Sequence, residues 1–369
     1  MRLNGEGRKK VTHRILSPGR YSYMVRGPVA VLSMVCLVAL LPTPLAPGAL
    51  QREAGEGLIP DLDQPYFVPR DMSLEDDGFG AGLPLHLETW YFEALLNQSR
   101  SVVFIVTVLA GGEGERGLCL TGLYMYEEGD LRAGERVATS SFRVSAAWPH
   151  LEVDGEEVCT ARVTPQGDMA YRISFSLRGW GLSLTMVNRS RGWQGEMGRG
   201  WWLAVPVLAV NGTLTVDGEQ VEVRGTGYHD HNRFSLFTPL LEYGYMDGKV
   251  ATGEVSLVWG YIMHSRWRAS AFAIISHRGD YHPLYPPHLQ MEFDRYVYDH
   301  GWRIPTSCQL RFENETLALA VNMTATRFHP IRLPGLRYWR YHVETEGHLT
   351  GQSGSLAIHG RGMMERMQY

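Results

Sequence analysis

Apolar and polar positions along this chain fall into short runs of β-branched and aromatic residues, cut by glycine, asparagine and aspartate. Residues 87–96 and 101–110 are two such runs, and the polar tetrapeptide 97–100 between them predicts a hairpin. Further runs lie at 117–126, 140–145, 151–153, 171–177, 182–187, 201–210, 212–216 and 220–223. Asp154-Gly155, Gly167-Asp168 and Asp217-Gly218 punctuate them as turns. The pattern resumes at 253–263, 269–276, 289–298, 306–312, 317–326, 338–350 and 354–358, and helical periodicity is missing after residue 50. Many short strands with regular turns predict an all-β protein made of barrels or sandwiches. The length of 369 residues suits two tandem β domains, 84–235 and 236–369. They follow an N-terminal segment, 1–50, and an extended lead-in, 51–83, rich in Gly, Pro and acids.

The N-terminal segment has its own pattern. Residues 1–27 carry Arg2, Arg8, Lys9, Lys10, Arg14, Arg20 and Arg26, and 29–41 is apolar apart from Ser33. Pro42, Pro44 and Pro47 follow among small residues. This order describes a secretory signal peptide. The run falls short of the roughly 20 residues of a full span. The alternative is an uncleaved anchor that associates with a membrane through 28–41. Either reading places the protein outside the cytoplasm. Five of the seven asparagines, Asn97, Asn188, Asn211, Asn314 and Asn322, begin N-x-S/T, which implies an exported glycoprotein. Ordinary turn chemistry is the competing reading.

Composition narrows the function. Hydrophobic residues are 44% and charged residues 20%, enough to bury a core. A net charge of −4 with no basic stripe gives no attraction to nucleic acid. Irregular turns and uneven alternation do not suit an outer-membrane pore. Cys119, Cys159 and Cys308 are far apart and form no CxxC, which excludes a zinc ribbon or thioredoxin-like motif. A Cys119–Cys159 disulfide and three free buried thiols are both open readings. Cys36 lies in the apolar run.

Candidate chemistry concentrates in Gly225-Thr226-Gly227-Tyr228-His229-Asp230-His231-Asn232-Arg233. In a strand, Tyr228, Asp230 and Asn232 share one face and His229 and His231 the other. Carboxylates and imidazoles together can hold and pass a proton near neutral pH. His229-x-His231 also raises a metal reading, but His264, His277, His282 and His288 offer no convincing third-ligand spacing. Structural hydrogen bonding at a domain junction is the third possibility. Upstream, Glu88, Trp90 and Phe92 share one face of a strand and Tyr91 and Glu93 the other, so an acid beside aromatics lines a pocket or a half-buried strand. Trp201 and Trp202 face opposite sides, which allows one in a core and the other in a cavity.

These pieces carry a resemblance. Glu88-x-Trp90-Tyr91-Phe92-Glu93-Ala94 resembles the opening strand of the CrtC/AttH-like family of lipocalin-like proteins, which includes carotenoid 1,2-hydratases (hydroxyneurosporene synthases). Trp201…Pro206, Gly212-x-Leu214, Asp217-Gly218 and Gly225-x-Gly227-Tyr228-His229-Asp230-His231-Asn232 are similar to its central block, and Gly360-Arg361-Gly362-Met363-Met364-Glu365-Arg366-Met367 to its ending. The resemblance runs from about residue 84 to 369. It implies two lipocalin-like β domains, an apolar small-molecule substrate, and lyase chemistry without metal or organic cofactor. In such hydratases an acid protonates a C=C bond, aromatic faces hold the carbocation, and water adds. Carried over, Asp230 and His231 form the acid/base pair, with His229 and Asn232 orienting it. Tyr228 contacts substrate or cation, and Trp90, Tyr91, Glu88, Trp202 and Trp259 line the site.

The chain departs from the family where the hydratases carry Trp after His-Asn. Here Arg233 stands, a cation that repels a carbocation but suits a ligand carboxylate or head group. The region after Trp259 also lacks a Tyr-x-Asp pair, offering Phe272 and His277 instead. Relatives of this architecture include pericyclic cyclases, so architecture alone does not name the reaction. The readings to test are therefore a cofactor-independent hydratase or cyclase, an exported lipocalin-like binding protein for a lipid or polyene, and a structural glycoprotein without a pocket.

Overall fold

The computed structural model describes Tyr21–Val25, Ile59–Pro60 and residues 65–369 except 115, 199, 254, 334, 335 and 353. The apolar run 29–41 and Cys36 lie outside the described residues. The chain is all-β, as the alternation predicts, and its strands form two tandem lipocalin-like barrels. In the first, Leu83–Leu96, Arg100–Gly112, Gly117–Glu127 and Asp130–Thr139 are successive neighbours. Phe142–Val144, His150–Val153, Glu156–Val163, Met169–Leu177, Trp180–Asn188, Gly200–Val216 and Glu219–Ser235 follow in order. Glu219–Ser235 then pairs back onto Leu83–Leu96, so the ring closes except between Asp130–Thr139 and Phe142–Val144.

The second barrel repeats this plan. Gly244–Ala251, Val255–Met263, Arg268–His277 and Asp280–Leu284 lead, followed by Leu289–Asp299, Trp302–Glu313, Leu317–Leu333, Leu336–Gly351 and Gly354–Gln368. Its last strand also returns to its first, and its gap again follows the fourth strand. The register matches as well. Gly227 lies opposite Ala94, and Gly362 opposite Val250. The glycines are needed for close approach rather than for turning. A Cβ at Gly225 would lie 2.1 Å from the Leu95 carbonyl oxygen, and one at Gly362 2.2 Å from that of Lys249.

Alternation sorts most buried side chains of the described residues into three large cores, beside a small cluster at Leu118 and Ala138. Trp90, Phe92, Phe104 and Tyr171 fill the first barrel, and Trp259, Trp339, Tyr341 and Met364 the second. Tyr91, Tyr228, Trp202, Phe272, Tyr338 and Met363 pack in the seam between barrels. The lead-in does more than connect. Phe67 is fully buried in the seam, 4.9 Å from the Phe272 ring and 5.4 Å from that of Trp193. The turn Glu75–Asp77 then enters the first barrel and presents Asp77 to its interior. Cys119, Cys159 and Cys308 are free, buried thiols, so the Cys119–Cys159 disulfide does not form.

Candidate functional site

The strand Glu219–Ser235 divides its chemistry between two compartments. His229 and His231 point into the first barrel, and Tyr228 and Asp230 point into the seam. Asp230 and His231 are therefore not one acid/base pair, because adjacent residues of an extended strand face opposite ways.

Inside the barrel, Asp77 bridges the two imidazoles. Its Oδ2 lies 3.0 Å from His229 Nε2 and its Oδ1 3.0 Å from His231 Nδ1. The other nitrogen of His229 bonds the Tyr91 carbonyl at 2.9 Å, which makes that nitrogen the donor. His231 Nε2 reaches Glu88 Oε1 at 2.9 Å, and Glu88 also holds His86 at 3.0 Å and Arg233 Nε at 3.1 Å. Trp90 stacks on His231 at 4.2 Å, and the Arg233 guanidinium lies 3.9 Å over Trp201. Burial pushes Asp77 and Glu88 up, but the facing imidazoles, with His86 and Arg233 at Glu88, outweigh it and hold both carboxyls at about 2. Burial likewise opposes the charge on His231, yet Asp77 and Glu88 raise it above its ordinary value. His231 is thus held between two carboxylates that favour its charged form, and it is excluded from solvent. Among the described residues no group of three or more His, Cys, Asp or Glu is arranged to hold a metal.

The seam carries a second cluster. Lys249 Nζ lies 3.1 Å from Glu93 Oε2, and 4.3 and 4.5 Å from the ring centres of Tyr91 and Tyr228. The Tyr91 hydroxyl lies 3.0 Å from Glu93 and 2.9 Å from Glu365. Arg340 is completely buried and donates through Nε to Glu365 at 2.7 Å, and through its terminal nitrogens to Tyr126 and Tyr338 at 3.0 and 2.8 Å. Asn232 donates to Asp230 Oδ1 at 2.7 Å. Asp247 stands beside these groups on Gly244–Ala251, partly exposed. Among the described residues nothing hydrogen-bonds its carboxyl.

Charge decides where protons reside. Glu93, Asp230, Asp247 and Glu365 confront Lys249 and Arg340, so four carboxyls meet two cations in a poorly solvated seam. Full ionisation would leave uncompensated negative charge, and protons are retained instead. Glu365, against Lys249, Arg340 and Tyr338, is held low despite its burial. Burial raises Asp230 to about 6, with Lys249 and Tyr228 moderating the rise. Burial and the neighbouring Glu365, Asp230 and Glu93 carry Asp247 well above the carboxylate range, more than Lys249 offsets. Asp247 is thus the seam carboxyl most strongly biased toward its protonated form.

The residues singled out by sequence thus separate. Glu88, Trp90, His229, His231 and Arg233 belong to the barrel cluster, and Tyr91, Trp202, Tyr228, Asp230 and Asn232 to the seam. Arg233 does not stand beside Asp230, since it shares the histidine face and is neutralised by Glu88. Trp259 is not a seam residue. It is completely buried in the second barrel, its Nε1 donating to Met323 Sδ at 3.3 Å. The face of Tyr228, expected to contact substrate or cation, and that of Tyr91, expected to line the site, hold the Lys249 ammonium. Asp77, Asp247, Lys249, Arg340 and Glu365 were not foreseen. One signal pointed to Glu365: Gly360-x-Gly362 precedes it as Gly225-x-Gly227 precedes Asp230.

No family model and no curated protein sequence matches the chain. Solved structures do. A candidate AttH protein (NE1406) from Nitrosomonas europaea superposes with a TM-score of 0.62 at 14% identity, covering 81% of this chain and 98% of that one. CghA with Sch210972 gives 0.54 at 12% identity, covering 82% and 99%. Kievitone hydratase from Nectria haematococca gives 0.53 at 12% identity, covering 79% and 92%. At these identities the likeness is one of fold, and the chain shares the tandem lipocalin-like fold of these three proteins.

Proposed function

We propose that the protein is a cofactor-independent acid–base catalyst of the hydratase or cyclase type, acting in the seam on the C=C bond of an apolar, isoprenoid or carotenoid-like substrate. The observation that carries this reading is Asp247, a partly exposed carboxyl opposite Glu365 that its neighbours hold well above the carboxylate range, in one cluster with Asp230, which is raised to about 6. Hydration needs such a pair. The Asp247 acid gives its proton to one alkene carbon. Water bonds to the other carbon, and the Asp230 carboxylate takes the proton that water releases. Transfer of that proton to Asp247 restores both groups, and the net change is addition of one water. Asn232 holds the Asp230 carboxyl in place, and Trp202 supplies apolar surface. The fold shared with kievitone hydratase supports a hydratase-type reaction.

The test is turnover of a polyene and isoprenoid panel in heavy-oxygen water, read by mass spectrometry as product carrying the heavy oxygen. Asp247→Asn and Asp230→Asn abolish product while keeping the fold. Undiminished product from both variants would remove the seam from the mechanism. Export is a separate proposal, resting on the N-terminal pattern and on the exposure of Asn97, Asn211, Asn314 and Asn322. A mobility shift on glycosidase treatment of protein from a secreting host tests it, and an unshifted band from the medium opposes glycosylation.

A further inference from the structure

We propose that the second barrel is a binding site for an apolar carboxylic acid, such as a long-chain fatty acid, whose carboxylate docks on Arg366. The two barrels share one strand plan and one glycine register. Counted from the paired glycines, His231 corresponds to Arg366 and Arg233 to Gln368. In the first barrel, carboxylates from this chain meet the cations at these places: Asp77 and Glu88 at His231, and Glu88 at Arg233. The second barrel lacks both acids. Gly244 lies opposite Gln368, where Glu88 lies opposite Arg233, and no described segment brings a counterpart of Asp77.

What remains is a group of donors with no carboxylate facing them among the described residues. Arg366 hydrogen-bonds Gln368 Oε1 at 3.2 Å, and among the described residues it has no carboxylate partner. Its Nε, the Gln368 Nε2 and the Tyr341 hydroxyl are buried without partners. Such a set matches a carboxylate, which only accepts, and a guanidinium takes one in fork geometry. Burial pulls the Arg366 guanidinium below its ordinary value, with Tyr341, Tyr243, Tyr296 and Tyr261 as its nearest titratable company. Leaving this cation unpaired is unfavourable, and an arriving anion relieves it.

The surroundings suit a hydrocarbon tail. Tyr261, Met291, Phe293 and Trp302 pack against the barrel core yet remain partly exposed. Phe293 lies 4.9 Å from Tyr261 and 6.0 Å from Trp259. Phe293 lies on Leu289–Asp299, the strand at the unpaired edge of this sheet. In the first barrel Asp77 and Phe79 of the lead-in are buried in the interior.

Tryptophan-sensitised fluorescence of cis-parinaric acid, added to the full chain, measures this binding. The wild type binds the acid saturably and its methyl ester about tenfold or more weaker. Arg366→Met reduces the acid to the level of the ester, and Arg361→Met, an exposed arginine of the same strand, leaves it unchanged. The ester comparison needs no variant, so misfolding of Arg366→Met would not leave the matter open. Absence of saturable binding, equal affinity for acid and ester, or equal losses in both arginine variants would overturn the proposal.

Discussion

Glu93 and Lys249 occupy matching positions in the two barrels, opposite Tyr228 and Met363, and they meet across the seam with Nζ 3.1 Å from Oε2. Two identical charges there would repel, so the change of sign turns a duplicated position into a bridge between its two copies. Each charge is nearly excluded from solvent, and its loss strands the other. Lys249→Met should cost about 3–5 kcal/mol in urea unfolding, and adding Glu93→Gln should restore most of it. Full additivity of the two losses would show that the pair does not act as one unit.

The barrel cluster sets the acid limit of stability. Asp77 and Glu88 have ordinary values of 3.8 and 4.5 and are held at about 2, so their contribution is complete above the ordinary values and disappears as pH falls toward 2. For Asp77 the difference amounts to roughly 2 kcal/mol. His231 has the opposite sign. Its contribution is complete below its ordinary 6.5 and is lost as pH rises through the raised value. Denaturant melts of Asp77→Asn across acid pH should show a flatter acid limb than wild type, and an unchanged limb would place the acid sensitivity elsewhere.

Trp259 is a packing residue of the second barrel, with Gly248 directly beneath its indole. Trp259→Ala should lower stability by about 3–5 kcal/mol through the cavity it leaves. Trp259→Phe should retain turnover, whereas Trp202→Ala, in the seam, should reduce it. Turnover assays at matched folded fraction distinguish the two sites, and equal losses would return Trp259 to the substrate pocket.

Much of this was readable in the chain, and the unread part has one physical origin. Alternation correctly set Glu88, Trp90 and Phe92 against Tyr91 and Glu93, and separated Trp201 from Trp202, because facing in a strand is a local property. The consequence for Arg233 followed from the same parity: an odd-numbered neighbour of His231 shares its face and meets Glu88, not Asp230. Asp77 was hidden because its partners lie 152 and 154 residues away, and a lone acid in an aperiodic lead-in carries no pattern. Asp247 and Lys249 form no motif. Their meaning appears once the two barrels face each other, and the echo of Gly225-x-Gly227…Asp230 in Gly360-x-Gly362…Glu365 was the one trace of that duplication in the sequence.

In the proposed mechanism the seam stores a proton on Asp247 and exchanges protons through Asp230. Carbon NMR of the protein with labelled aspartate carboxyls, titrated with pH, measures this directly. One carboxyl should remain protonated at neutral pH and vanish from the spectrum of Asp247→Asn, and a second, absent from Asp230→Asn, should titrate near 6. Ionised signals from every aspartate at neutral pH would contradict the account.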